Sequence, residues 1–155
     1  MNREVLGELI INSTDSMYRV AKSILKTDED CHDAISETIV KAYAKIHTLR
    51  KDEFAKTWLI RILMNECYGI LKRAKRIVPL EEYEDTLESK EKEDYRELYQ
   101  AIQRLPDKLR IIIILYYLEG YSVRECAMVL KISETAVKKR LLRGRNTLKG
   151  YLEEA

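Results

Sequence analysis

Apolar residues recur at helical spacing along most of this chain, and the elements follow from where that spacing starts and stops. Met17, Val20, Ala21 and Ile24 fall at i, i+3, i+4 and i+7, one stripe of an amphipathic helix. Thr27 or Asp28 can cap the next helix, whose first turn is acidic. Ala34, Ile35, Ile39, Ala42 and Ile46 then line one side to about His47. A polar stretch, Thr48 to Glu53, interrupts the period. Phe54 reopens it, and Trp58, Leu59, Ile62 and Leu63 carry it toward a basic cluster at Lys72. Val78-Pro79 closes that unit. Leu98, Ile102 and Leu105 begin a second one, with Pro106 suited to the first position of a further helix. Ile111 to Leu115 is β-branched enough for a buried strand. It lacks partner strands and ends in Glu119-Gly120, a helix stop, so a helix is expected.

The segment 122–149 is the most specific. Ser122 followed by Glu125 forms a capping box. Val123, Cys126, Ala127 and Leu130 give a short amphipathic helix, and Lys131-Ile132-Ser133 a tight connection with Ser133 as the next cap. Val137, Leu141, Gly144 and Leu148 make a narrow stripe centred near Leu148. The opposite face carries Thr135, Lys139, Leu142, Arg143 and Asn146, with Lys138 beside it. This is a helix-turn-helix pattern, whose second helix can enter a DNA major groove; an ordinary helical hairpin with a basic wet face is the plainer alternative.

Composition narrows the class. The 155 residues include 5 Gly and 2 Pro, too few for a turn-rich β fold, and 46% are hydrophobic, enough for one core or two small ones. The expected fold is all-α, in two small helical domains. No apolar run reaches the roughly 20 residues of a membrane span and no signal peptide is evident, so a cytoplasmic protein without membrane insertion is expected. Cys31, Cys67 and Cys126 are odd in number and far apart. They read as small half-buried apolar residues and not as a disulfide or metal set. His32 and His47 read as surface residues. No phosphate loop, nucleophile triad, cofactor motif or metal site is found, so no enzyme is expected.

The net charge of +2 conceals a pattern. Lys72, Arg73, Lys75 and Arg76 cluster together. Residues 80–97 hold nine acids against three bases, as in a solvated linker, and residues 131–150 hold seven bases against Glu134 alone. The basic blocks suit a polyanion.

Both halves resemble the extracytoplasmic-function group of bacterial sigma factors, in the sigma-70 family. Residues 105–110, 119–127 and 133–145 resemble sigma region 4. Residues 30–38 resemble the core-binding part of region 2, and residues 58–65 its promoter-melting part. The domains implied are 1–76 for region 2, 77–97 for the linker and 98–155 for region 4. Three positions depart from the family pattern: Ser36 stands where Gln is common, Cys126 where Ile is usual and Gly144 where Ala is usual.

The resemblance implies an alternative initiation factor that binds core RNA polymerase and promoter DNA, with no cofactor. Asp33, Ser36 and Glu37 would dock on the polymerase β′ coiled coil, and region 4 would meet the β flap. The loop Leu49, Arg50, Lys51, Asp52, Glu53 and Phe54, with Asn65, would hold the −10 element. Ser133, Thr135, Lys138, Lys139, Leu142 and Arg143 would read the −35 element, with Arg140 and Arg145 on phosphates or in intramolecular pairs. Trp58 reads as core before it reads as a stacking platform. A cognate anti-sigma factor, often membrane-anchored in this family, is a further implied partner. The competing reading is a conventional helix-turn-helix regulator with an N-terminal dimerisation domain. It predicts tight binding to a palindrome by the protein alone.

Overall fold

A computed structural model describes residues 1–77 and 96–154, with side chains given as far as residue 74 in the first stretch. The expected helix end at Val78-Pro79 and most of the acidic linker lie outside the described residues. The chain separates into two compact units, one holding α1–α4 and the other α5–α8. Among the described residues the secondary structure is helical throughout.

The first unit contains α1 (Arg3–Asn12), α2 (Thr14–Ile24), α3 (Asp28–Ala44) and α4 (Ala55–Ile77). The apolar pattern does not single out α1, which buries only Leu6 and Ile10 and leaves Val5 and Ile11 exposed. Asn2 caps it by accepting the Val5 N–H at 2.8 Å. The expected stripe of α2 is buried as read, with Ser23 added to it. Thr27 caps α3 by accepting the Asp30 N–H. Short 3₁₀ turns at Ile46–Thr48 and Asp52–Phe54 lead from α3 into α4.

The buried line of α3 differs from the expected one. Cys31, Ala34, Thr38 and Ala42 are buried, whereas Ile35, Ile39 and Ile46 are half-buried. Small side chains let α3 approach its neighbours closely, and α3 packs chiefly on α4. Thr38 is tolerated there because its hydroxyl donates to the Ala34 carbonyl at 2.7 Å. From α4, Leu59, Ile60 and Leu63 are fully enclosed, each contributing about 1.5–3 kcal/mol by burial. Lys41 and Glu66 form an ion pair between α3 and α4, and that bond raises the Lys41 pKa.

All three cysteines are fully buried and none forms a disulfide, and they are more enclosed than their expected half-burial. Burial pushes the Cys31 thiol up to about 11 and Cys67 up to about 12, from 9.0. Unfolding returns both thiols to their ordinary value, so the unfolded chain loses these protons first as pH rises. This contribution to stability is therefore complete below about pH 9 and is lost toward pH 11 and 12. Denaturant midpoints across that window should fall more steeply for the native sequence than for a Cys31→Ala, Cys67→Ala protein. Equal slopes would assign the alkaline loss to other groups.

The second unit contains α5 (Arg96–Arg104), α6 (Asp107–Ile113), a π-helical turn (Ile114–Leu118), α7 (Val123–Leu130) and α8 (Glu134–Glu153). Pro106 is the N-cap of α6 and not its first residue, because its ψ of 147° is extended. Arg110 ties α6 to the end of α5, donating to the carbonyls of Gln103 and Leu105 at 3.2 and 3.1 Å. Ile111 to Leu115 is helical and buried, as the absence of partner strands required. Gly120 ends that element at φ +73°, a conformation costly for other residues.

On α8, Val137, Leu141 and Gly144 are buried and Leu148 is half-buried, so the apolar centre lies nearer the helix start than expected. Gly144 has a packing reason. A Cβ there would stand 3.0 Å from Ile113 Cγ1, so its absence lets α6 close onto α8.

Candidate functional site

The helix-turn-helix is assembled from local bonds. Ser122 Oγ accepts the Glu125 N–H at 3.0 Å, and the Glu125 carboxylate accepts the Ser122 N–H at 3.1 Å. The capping box thus fixes the start of α7. Lys131, at φ 53° in the left-handed region, makes the sharp turn, and Ser133 Oγ accepts the Ala136 N–H at 3.1 Å to start α8. With Val137 and Leu141 buried, the opposite face must point outward. Thr135, Lys138, Lys139, Leu142, Arg143 and Asn146 are all exposed on it. Ser133 is exposed, with its oxygen engaged as the cap.

The flanking arginines differ. Arg140 is half-buried, and Arg145 donates from Nη1 to the Tyr117 hydroxyl at 3.0 Å. Tyr117 and Leu118, at the end of the π turn, are each about half exposed.

In the first unit Asp33, Ser36 and Glu37 are exposed on α3. Val40, one turn beyond Glu37, is 62% exposed, an apolar spot on the same side that the sequence reading did not single out. Beside Ser36 an open groove of ≈ 500 Å³ runs between α2 and α3, lined by Tyr18, His32 and Ile35 among others. Hydrogen bonds from Lys22 and from Tyr18 hold Asp28 below the usual carboxylate range.

The segment 49–54 leads into α4. Arg50, Lys51, Asp52 and Glu53 are exposed, while Leu49 and Phe54 are half-buried. The Met1 ammonium lies 3.0 Å from Asp52 Oδ1. Trp58 is half-buried and not core: its indole N–H donates to Thr48 Oγ1 at 3.3 Å, tying α4 to the preceding turn. Asn65 is exposed, about 15 Å along α4 from Ala55 at about 1.5 Å per residue. The expected −10 residues thus come from the segment before α4 and from the helix itself. Among the described residues no cluster of metal-ligating side chains occurs, and no helix is long and apolar enough to cross a membrane.

Two separate helical units, the second with a basic helix exposed behind an intact turn, place the chain among helix-turn-helix proteins. Comparison with known proteins is more specific. Residues 12–77 match sigma-70 region 2 and residues 95–148 match sigma-70 region 4. The RNA polymerase sigma factor SigV of Bacillus subtilis is 31% identical, covering 91% of this chain and 87% of its own. The ECF RNA polymerase sigma factor SigM of Mycobacterium tuberculosis is 30% identical, covering 97% and 80%. Among solved structures, the sigma factor RpoE of Bartonella quintana, in complex with the anti-sigma factor NepR, superimposes with a TM-score of 0.79. Its identity is 24%, and the match covers 95% of this chain and 96% of that one.

The chain belongs to the sigma-70 family, in its extracytoplasmic-function group. It is an alternative sigma factor, a non-enzymatic factor for transcription initiation. The match of residues 12–77 to region 2 decides against an N-terminal dimerisation domain.

Proposed function

We propose that this sigma factor docks on core RNA polymerase through Asp33, Ser36 and Glu37 and aims it at promoters with two separate DNA contacts. The partner surfaces are the β′ coiled coil for α3 and the β flap for the second unit. Lys138, Lys139, Leu142 and Arg143 read the −35 element in the major groove, with Ser133 and Thr135 at the helix start and Arg140 and Arg145 near phosphates. Residues 49–54 and Asn65 hold the −10 strand. The observation that carries this reading is the exposed cationic face of α8, displayed by the burial of Val137, Leu141 and Gly144 on its other side.

Opening DNA without a chemical fuel must draw on binding energy. Capture of unstacked bases shifts the melting equilibrium, each captured base returning about 1–3 kcal/mol against an unstacking cost of a few. The factor works in the cytoplasm. An anti-sigma factor holds it inactive, as suggested by the structural relative solved in complex with one.

Transcription in vitro with purified core polymerase and a randomised promoter library tests the proposal. Initiation from a defined −35/−10 pattern only when the protein is added supports it; tight palindrome binding by the protein alone, without initiation, refutes it. In the same assay, Asn65→Ala should lower open-complex formation about tenfold while closed-complex binding changes little, because the amide would act on unstacked DNA. Exchanging 49–54 for another family member's loop should alter the preferred −10 base. Identical −10 patterns would remove that loop from recognition.

A further inference from the structure

Arg145 and Tyr117 meet on the exposed surface of the second unit, and the contact leaves both with donors to spare. Arg145 lies on the flank of α8 that carries Lys138 two turns earlier, and both side chains are exposed. One of the five N–H donors of its guanidinium goes to the Tyr117 hydroxyl, 3.0 Å from Nη1. Among the described residues that hydroxyl is its one polar partner, so its other donors are open to an anion from outside. A tyrosine hydroxyl that accepts still has its own proton to give. Tyr117 is about half exposed, and among the described residues its O–H has no acceptor. A cation donating to the oxygen makes that O–H a stronger donor in turn.

The two side chains come from distant segments. Tyr117 belongs to the π-helical turn, where the Glu119 N–H reaches the Ile114 carbonyl five residues back at 2.9 Å. Ile111 to Leu115 are buried before it, while Tyr117 and Leu118 stand outward. Turns of this kind occur often at functional sites. The position of Arg145 says which anion the pair suits. A helix lying in a major groove has a phosphate strand on either side of it, so a cation on the helix flank faces backbone and not a base edge. Arginine and tyrosine are both among the side chains that bind DNA phosphates, and a charged donor beside a neutral one gives a short, strong pair of bonds to one phosphate.

We propose that Tyr117 and Arg145 form one clamp on a DNA phosphate beside the −35 element, the hydroxyl aiming the guanidinium and adding a donor of its own. This rests on the −35 reading above and adds to it a positioning residue that lies outside the helix-turn-helix.

The test uses holoenzyme assembled from the full chain and core polymerase. Its DNA is a promoter drawn from a randomised library by the wild-type holoenzyme, with single phosphates beside the −35 element replaced by neutral methylphosphonates. Closed-complex affinity is measured at several salt concentrations for wild type, Tyr117→Phe, Arg145→Ala and the double variant. Arg145→Ala should bind about tenfold more weakly on every −35 sequence and lose about one unit of salt slope. Tyr117→Phe should bind about threefold more weakly, with a smaller loss of slope. The double variant should stay within about twofold of Arg145→Ala, because the hydroxyl works through the guanidinium. Neutralising one particular phosphate should weaken wild type and leave Arg145→Ala unaffected. The thermal midpoint and core affinity of Tyr117→Phe should match wild type, whereas a merely structural bond would move the midpoint and not the slope. Equal DNA affinity and slope in wild type and Tyr117→Phe would overturn the proposal, as would additive losses in the double variant. Loss of core affinity in Tyr117→Phe with unchanged salt slope would overturn it in favour of a polymerase contact at the π turn. If the wild-type holoenzyme shows no −35 preference, the −35 reading fails first and the proposal with it.

Discussion

Asp33→Lys combined with Glu37→Lys is expected to reduce polymerase-dependent transcription by about a hundredfold or more. The two carboxylates are exposed and one turn apart on α3, so a cationic partner would meet both together. Reversal removes two favourable pairs and substitutes two repulsive ones, a change of several kcal/mol, and about 2.7 kcal/mol already amounts to a hundredfold. The fold should be little affected. Neither side chain is buried, and a lysine at 37 would sit one turn from Lys41, a like-charge cost of about 0.2–0.5 kcal/mol. Glu37→Gln alone should give a milder loss. The measurement is the affinity of labelled full-length protein for core polymerase, with the unfolding midpoint as a control. Unchanged affinity in the double reversal would show that docking uses another face of the first unit. A companion Val40→Ala protein would reveal whether the apolar spot beside Glu37 belongs to the same contact, as interfaces often centre on a buried apolar anchor.

How far the sequence could be read depended on whether each feature was local. The capping box at Ser122 and Glu125, the cap at Ser133 and the cap at Thr27 are bonds between residues three apart, and each is present in the structure. The outward face of α8 was legible for the same reason, since burying Val137 and Leu141 dictates the rest of the wheel. The interior of the first unit was less legible. Its α3 contribution is Cys31, Ala34, Thr38 and Ala42, small or hydroxyl-bearing residues that a search for large apolar side chains passes over. Ile35 and Ile39 are the larger side chains on this helix, yet both are only half-buried. α1 has no clean apolar stripe in sequence, because Val5 and Ile11 are exposed beside the buried Leu6 and Ile10.

The remaining differences are tertiary. Arg145 finds Tyr117 across 28 residues, and Lys41 finds Glu66 across 25. No spacing rule reaches that far. A lone Trp on an amphipathic helix points to the core, yet the Trp58 N–H meets Thr48 in the turn after α3 and the ring is only half-buried. The expected site residues follow the same division. Those on α8 share one exposed face because one helix sets them. The expected −10 residues come from a turn and from a long helix, two elements that no single spacing rule relates.

Lys138→Ala combined with Arg143→Ala is expected to weaken −35 binding by about 2–6 kcal/mol, the sum of two contacts of about 1–3 kcal/mol each if both read bases. Both side chains are exposed and lie away from Val137 and Leu141, so truncation should leave the unit folded. Base reading and phosphate contact leave different signatures. Loss of a base contact relaxes specificity at one −35 position, while loss of a phosphate contact weakens all sequences alike and lowers the salt slope by about one. Long donors such as Lys138 and Arg143 suit the acceptors on guanine, so relaxed specificity is the expected result for each. Lys139 is expected to divide between the two roles. Arg145 gives an internal comparison: its guanidinium already meets Tyr117, so Tyr117→Phe should alter the salt slope and not the preferred sequence if that bond aims it at a phosphate. The experiment measures holoenzyme binding of each variant on consensus and singly mutated −35 duplexes at two salt concentrations. Unchanged affinity and unchanged specificity in the Lys138, Arg143 double variant would mean that α8 does not enter the major groove by this face.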